Sequence, residues 1–570
     1  PITGAKDKVM KQLFTTSLAL TGAVAALGLS APTLAQDGGG EGDEDFASAS
    51  EEAERERGRG RVVVQPYIEA SQVLVAEISP GDDVLTYTQL AAGVDVSVTG
   101  RNNGASASLR YEKNIAGSDG ALDSDSLSGV ARGYATIVPQ VLTLEAGGLA
   151  ARTRVDGTGG TSPNPIVDTD RESRIYSAYA GPNVHTEVGA AVVNANYRIG
   201  YTKVEAPDAV IVAPGADPVD VFDDSLSQNA AVHVATRPGD PLPVGLGVGA
   251  GWRQEDLSNL DQRVRDMYVR GDVTVPVSPS LAVVGGIGYE DVEVSSRDAL
   301  RDDDGDPIIG DDERLVTDTS QPRQIAYEAE GLIWDVGVLW RPSSRTSLAA
   351  TVGRRYDSTT YYGSFAYAPS VRSSVNISVY DTVSGFGGLL TDALVALPTE
   401  FTASRNPLTG DINGCVQSLQ GGNCVTGALG SIRSSTFRSR GIAASYARQF
   451  GRLSAGIGAG YNEREFIAGE GTVLASADGL TDESYYITGY LGTQIGRDAT
   501  LSTNAYASWT DSEFVNAGGS SAVGASATYG QRVYRGLSAR AAVAIDHFES
   551  DVAEDDITAA SALLGLRYDF

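Results

Sequence analysis

The nine residues Leu332–Trp340, "LIWDVGVLW", put Leu332, Trp334, Val336, Val338 and Trp340 at every second position. Asp335 and Gly337 stand in the other series. A period of two is the mark of a β-strand, whose successive side chains point to opposite faces. One face of this strand is wholly apolar and the other carries a charge. The tight link "RPSSRTSL" (Arg341–Leu348) follows, and then a second alternating run begins.

The same pattern recurs from Val62 to the last residue. Leu90–Val98 ("LAAGVDVSV"), Gly245–Arg253 ("GLGVGAGWR"), Leu453–Tyr461 ("LSAGIGAGY") and Leu537–Ile545 ("LSARAAVAI") each carry one apolar series. The opposite series is rich in Gly, Ser, Asn, Asp and Arg. Tight links at Pro139, Pro279, Pro342, Gly451, Gly496 and Gly536 alternate with long polar ones over 155–173, 206–224, 295–324, 382–435 and 468–483. An exception is "RRYDSTTYY", a short link where a long one is expected. About ten residues per strand, with short and long connections in alternation, predict an all-β, antiparallel up-and-down barrel of about 22 strands across an outer membrane. Closure removes the unpaired edges that lipid does not tolerate.

Composition agrees with this reading and narrows the function. The net charge of −30 repels nucleic acid, and no basic patch offsets it. With 3 histidines there is little for metal chemistry, and no cofactor is implied. The run "VMKQLFTTSLALTGAVAALGLSAPTLAQ", with Lys6 and Lys8 just before it and Lys11 within it, carries an apolar stretch and a small residue before Gln36, the order of a cleaved export signal. Residues 1–35 are therefore expected to be a signal peptide, with residues 1–9, before Met10, as a candidate non-native extension. Residues 36–61, dense in charge and poor in apolar side chains, are expected to form a disordered periplasmic arm. The barrel is assigned to 62–570.

If the apolar series faces lipid, the other faces the lumen, because charge on the lipid face costs several kcal/mol. That places Asp95, Arg110, Glu112, Asn194, Asn196, Arg198, Arg253, Arg270, Asp272, Asp335, Arg540, Asp546 and Arg567 inside. The same logic makes Gly337 a more tolerant position than Val336. These side chains either sort solutes in an open pore or form an ion-paired network that closes it. The acidic stretch Arg297–Asp318 misses the EF-hand spacing, so Asp302, Asp304, Asp306, Asp311 and Asp312 make only a loose divalent-cation candidate. Cys415 and Cys424 share one Gly-rich loop, and in an exported protein such a pair is expected to form a disulfide. The apolar segment Phe386–Leu397 in the same loop is expected to form a helix over or into the mouth. His185, His233 and His547 are scattered, so a membrane-embedded enzyme with a His–Ser–Asp site is the weakest reading.

The terminal strand "ASALLGLRYDF" (Ala560–Phe570) resembles the C-terminal insertion signal of bacterial outer-membrane barrels, through Leu564, Leu566, Tyr568 and Phe570. The resemblance implies recognition by the barrel-assembly machinery. The stretch Ile175–Glu205, with the overall layout, resembles the β-barrel porins associated with exosortase and exopolysaccharide systems. That resemblance implies an outer-membrane protein among lipid and lipopolysaccharide, with polysaccharide-export components as partners. A porin-like channel or a part in exopolysaccharide export is expected. The alternative is a structural or envelope-assembly protein with a closed lumen. A plugged transporter is disfavoured, because 36–61 is too short for a folded plug. A single-helix preprotein-translocase accessory subunit has no counterpart here.

Overall fold

The computed structural model describes residues 60–570 except 82, 118–123, 156–160, 163–171, 211–218, 312–313, 419–434, 515–517 and 552–555. The expected signal segment and nearly all of the arm lie outside the described residues. Arg61, assigned to the arm, opens the first strand instead.

The long strands, in chain order, are β1 (Arg61–Ser79), β2 (Val84–Thr99), β3 (Asn103–Ala116), β4 (Ser124–Val138), β5 (Leu142–Val155), β6 (Glu172–Val188) and β7 (Ala191–Val210). Then come β8 (Val219–Thr236), β9 (Gly245–Leu257), β10 (Gln262–Ser278), β11 (Leu281–Ser296), β12 (Gln324–Ser343), β13 (Thr346–Arg355), β14 (Ser358–Ser370) and β15 (Ser373–Ser384). The last are β16 (Thr436–Phe450), β17 (Leu453–Ile467), β18 (Thr481–Ile495), β19 (Ala499–Ser512), β20 (Gly518–Tyr534), β21 (Leu537–Ser550) and β22 (Ile557–Asp569). All 22 pair antiparallel with their neighbours, and β1 closes the ring by pairing with β22 from Tyr67↔Asp569 to Ala76↔Ala560. Among the described residues no helix is long and apolar enough to cross a membrane. The membrane is crossed by strands.

The two faces of the wall differ as the alternation requires. Leu564 is 70% exposed on the outside, and Val248, Ile287, Leu332, Val336 and Val543 share that face. Such a belt would drive aggregation in water, and it is matched by hydrocarbon. Tyr446, Phe450, Tyr534, Tyr568 and Phe570 are exposed near the short-turn rim, and Tyr201, Tyr289 and Tyr361 towards the long-loop rim. Amphipathic rings at both levels suit the two membrane–water interfaces.

On the inner face, tyrosines stand directly opposite glycines of the adjacent strand. The pairs are Tyr67 with Gly93, Tyr134 with Gly104, Tyr179 with Gly147 and Tyr268 with Gly251. Tyr380 with Gly441, Tyr486 with Gly460, Tyr490 with Gly456 and Tyr506 with Gly524 complete the set. In each, the ring occupies the space that a Cβ on the glycine would need. The ring therefore leans along the wall and covers the bare backbone, instead of standing into the lumen.

Several loop bounds differ from the sequence expectation. The span 206–224 is largely strand, since β7 runs on to Val210 and β8 starts at Val219. Backbone pairing continues above the bilayer, where neither face needs to be apolar, so the lipid-facing signature fades while the ladder persists. The short link after β13 is a two-residue turn at Tyr356 and Asp357, both with φ 53°. The segment between β15 and β16 carries helix α1 (Phe386–Val395) and a small hairpin of Thr402–Arg405 with Ile412–Gln417.

Candidate functional site

The residues between β15 and β16 fold into the barrel. Glu255 of β9, fully buried, accepts the N–H of Gly385 at 2.9 Å, the N–H of Gly388 at 2.7 Å and the Ser225 hydroxyl at 2.7 Å. A carboxylate here satisfies the free amides of the first helical turn and complements its dipole. Arg253, two residues away, pairs with Asp392 of the same helix at 3.0 Å. The apolar face of α1, with Leu390 and Leu394, packs with Ile175, Val204, Phe437 and Phe466.

The hairpin continues this path around the wall. The Arg405 guanidinium donates to the Ser128 hydroxyl at 2.6 Å, the Ser108 hydroxyl at 3.1 Å and the Gly410 carbonyl at 2.8 Å. Asp411 pairs with Arg152 at 3.0 Å. At the tip, the Gln89 amide donates to the Leu408 carbonyl at 2.9 Å, and Leu408 packs among Val73, Val75, Ala542 and Leu563. Gly410 takes a φ of 69°, and a Cβ there would collide with Glu112 and Arg110. The segment thus lies along β9 to β3 and reaches β1, β21 and β22.

The residues singled out from sequence fall on the inward parity and mostly join into clusters. Glu69 is the hub of one: Arg110, Arg540 at 2.7 Å and Arg567 at 3.3 Å converge on it. Arg110 also reaches Glu112 at 3.0 Å, and Arg567 reaches Asp569 at 2.8 Å and Asp95 at 3.6 Å. Arg198 pairs with Glu145 at 3.0 Å. Asn194 bonds His185 at 2.7 Å, and Asn196 lies opposite Asn183. Arg270 grips Asp335 at 2.5 and 2.6 Å and Asp272 at 3.0 Å, and Asp272 also meets His233 at 2.9 Å. Asp546 accepts the Tyr506 hydroxyl at 2.8 Å.

Sequence reasoning missed Glu69, Glu145, Glu255, Asp266, Glu290 and Arg355. Arg355 binds Asp266 and Glu290, each at 2.8 Å. Parity marks Glu69 once the strand is known to begin at Arg61, since Tyr67 and Ser71 share its buried face. Nothing local marks Glu255 as a helix anchor, because Gly385 and Gly388 lie 130 and 133 residues away.

The acidic loop after β11 is organised by its own backbone. The Asp302 carboxylate accepts the N–H groups of Asp304 and Asp306, both at 3.0 Å. Asp312 lies outside the described residues, and among the described residues no group of His, Cys, Asp or Glu is arranged to hold a metal ion. Cys424 is likewise outside them, and the backbone of Cys415 belongs to the hairpin. His547 bonds Thr558 at 2.9 Å and lies on the opposite parity from Asp546. Leu564, Leu566, Tyr568 and Phe570 all face outward, with the Tyr568 and Phe570 rings edge to face at 5.0 Å.

No protein-family profile matches this chain, and no curated protein sequence does. Similar solved structures include the FrpB iron transporter from Neisseria meningitidis (F3-3 variant), 11% identical at a TM-score of 0.42, with 89% of this chain and 81% of that chain covered. The open form of the ferric-catecholate import receptor Fiu from E. coli K12 is 10% identical at a TM-score of 0.43, covering 89% and 82%. The copper transporter OprC is 11% identical at a TM-score of 0.38, covering 90% and 81%.

Proposed function

We propose that the barrel is a passage for small polar solutes through the outer membrane, narrowed by the inward segment Gly385–Gln417. The observation that carries this reading is the anchoring of that segment to the inner wall at Glu255, Arg253, Arg152, Ser128 and Gln89. A ring of this many strands encloses more space than its own side chains fill. A segment tied along one side of it sets the width of what is left. The paired lumen charges around Glu69 and Arg270 favour a second reading, a stiffened wall in an envelope-assembly protein with a closed lumen. Planar-bilayer recording of the purified protein separates the two. The passage reading expects ohmic current steps that grow when Gly385–Gln417 is replaced by a short Gly–Ser linker. Electrical silence of both proteins, with the folded barrel verified by its heat-dependent shift on a gel, overturns it.

A further inference from the structure

The inner wall has two chemically distinct arcs. Charged inward side chains are spread over β1–β13 and β21–β22, from Glu69 and Arg110 round to Asp335 and Arg355, then Arg540 and Arg567. The inward segment packs mainly on that arc. Across β14–β20 the inward series is different. Between the buried pair of positions Arg464 and Asp482 at the long-loop rim and the exposed Arg532, which pairs with Asp498 at the short-turn rim, it contains Gly, Ala, Ser, Thr, Asn, Gln and Tyr and no charged residue.

Within this uncharged arc the side chains form a chequered surface on β18 and β19. Tyr486 lies opposite Ser508, Thr488 opposite Tyr506, and Tyr490 opposite Asn504. The rings of Tyr486, Tyr490 and Tyr506 lean onto Gly460, Gly456 and Gly524, so each turns a face to the interior. Two residues of strand separate one ring level from the next, about 6.6 Å. That is the scale of a pyranose ring.

We infer that the β18–β19 face of the lumen is a binding track for uncharged saccharide chains. The C–H face of a pyranose stacks on an aromatic face, whose π-electrons attract the weakly positive hydrogens. Its equatorial hydroxyls meet Thr488, Asn504 and Ser508 between the rings. The nearest carboxylate, Asp546 of β21, is engaged by the Tyr506 hydroxyl, and between the two rims the arc offers ionic solutes no charged side chain of its own, so it discriminates by charge as well as by shape. The inference deepens the passage reading, and it rests on that reading only for transit; binding is measurable without it.

The test uses the full chain in detergent and in bilayers. Equilibrium dialysis against maltohexaose and cellohexaose is expected to show saturable binding, and a charged hexasaccharide of galacturonic acid is expected to bind at least tenfold more weakly. The triple variant Tyr486→Ala, Tyr490→Ala, Tyr506→Ala loses at least tenfold in affinity, while Tyr134→Ala, a ring in the charged arc, leaves it unchanged. Should the triple variant fail to fold, Thr488→Lys keeps the rings and places a cation between them, with the same expected loss. Binding of neither neutral hexasaccharide overturns the track, as does equal binding by the track variants and Tyr134→Ala. Current steps without saccharide binding refute the track and leave the passage; saccharide binding in an electrically silent protein does the reverse.

Discussion

The Glu255 carboxylate, fully buried on β9, accepts the Gly388 N–H at 2.7 Å, so the wall itself caps the helix that lies inside it. Glu255→Gln removes the charge and weakens an acceptor shared by two helix amides, at a cost of about 1–3 kcal/mol. The barrel ladder does not run through this contact. Hydrogen–deuterium exchange is expected to speed up across Phe386–Val395 and stay unchanged in β9. Equal protection of α1 in both proteins would show that its apolar face alone holds it.

Ile487 and Thr488 are adjacent on β18 and face opposite ways, Ile487 exposed on the outside and Thr488 opposite Tyr506. An arginine at a midplane lipid-facing position costs about 2–4 kcal/mol. Ile487→Arg should therefore lower the yield of folded barrel, whereas Thr488→Lys should fold and shift the current towards anions. Reversal potentials in a salt gradient and gel mobility read the two effects, and a better-folded Ile487→Arg would invert the face assignment of this strand.

Asp261, in the turn before β10, receives Arg297 at 2.7 Å and also pairs with Arg323, clamping both ends of the acidic loop. Burial pushes its carboxyl up, but the hydrogen bonds and charges of Arg297 and Arg323 outweigh it and hold it below the usual carboxylate range. A lowered carboxyl contributes stability that is fully present above its unfolded value and is lost as the pH falls through the folded one. A spin label at the exposed Leu300 should stay immobile from pH 7 down to about 4, the ordinary carboxylate range, and loosen only below it. Asp261→Asn should be loose at neutral pH, and a label equally rigid in both proteins would place the clamp elsewhere.

Tyr568 and Phe570 project outward at the short-turn rim, and the Phe570 N–H donates to the Pro66 carbonyl at 3.1 Å. Replacing both by Ser leaves that backbone bond and removes the paired rings. We expect the folded protein to disappear from the outer membrane, as followed by its heat-modifiable band. Undiminished amounts would overturn a role for the two rings in assembly.

The alternation in Leu332–Trp340 was enough to read a strand, its faces and, by repetition, the ring. Period-two patterning is local, and lipid enforces it wherever a strand crosses the membrane. Register is not local. Parity makes Gly337 a tolerant inward position, yet the Ala350 carbonyl of β13 stands where its Cβ would go. The pairing of Tyr490 with Gly456 joins two residues that sequence gives no reason to connect. The path of Gly385–Gln417 was legible only as an apolar run, Phe386–Leu397. Its anchors, Glu255 and Ser128, come from strands far earlier in the chain.

Glu69 takes its partners from both sides of the line where the ring joins itself. Arg110 arrives from β3, 41 residues on, whereas Arg540 and Arg567 come from β21 and β22, 471 and 498 residues on. While the first strands stand alone, this acid has one arginine beside it; the other two reach it only when the last hairpin swings home. The cluster is therefore a latch across the seam, engaged at the final step of assembly. It also opposes sideways parting of β1 from β22, so a molecule within the lumen has to leave through a rim and not between the strands into the lipid.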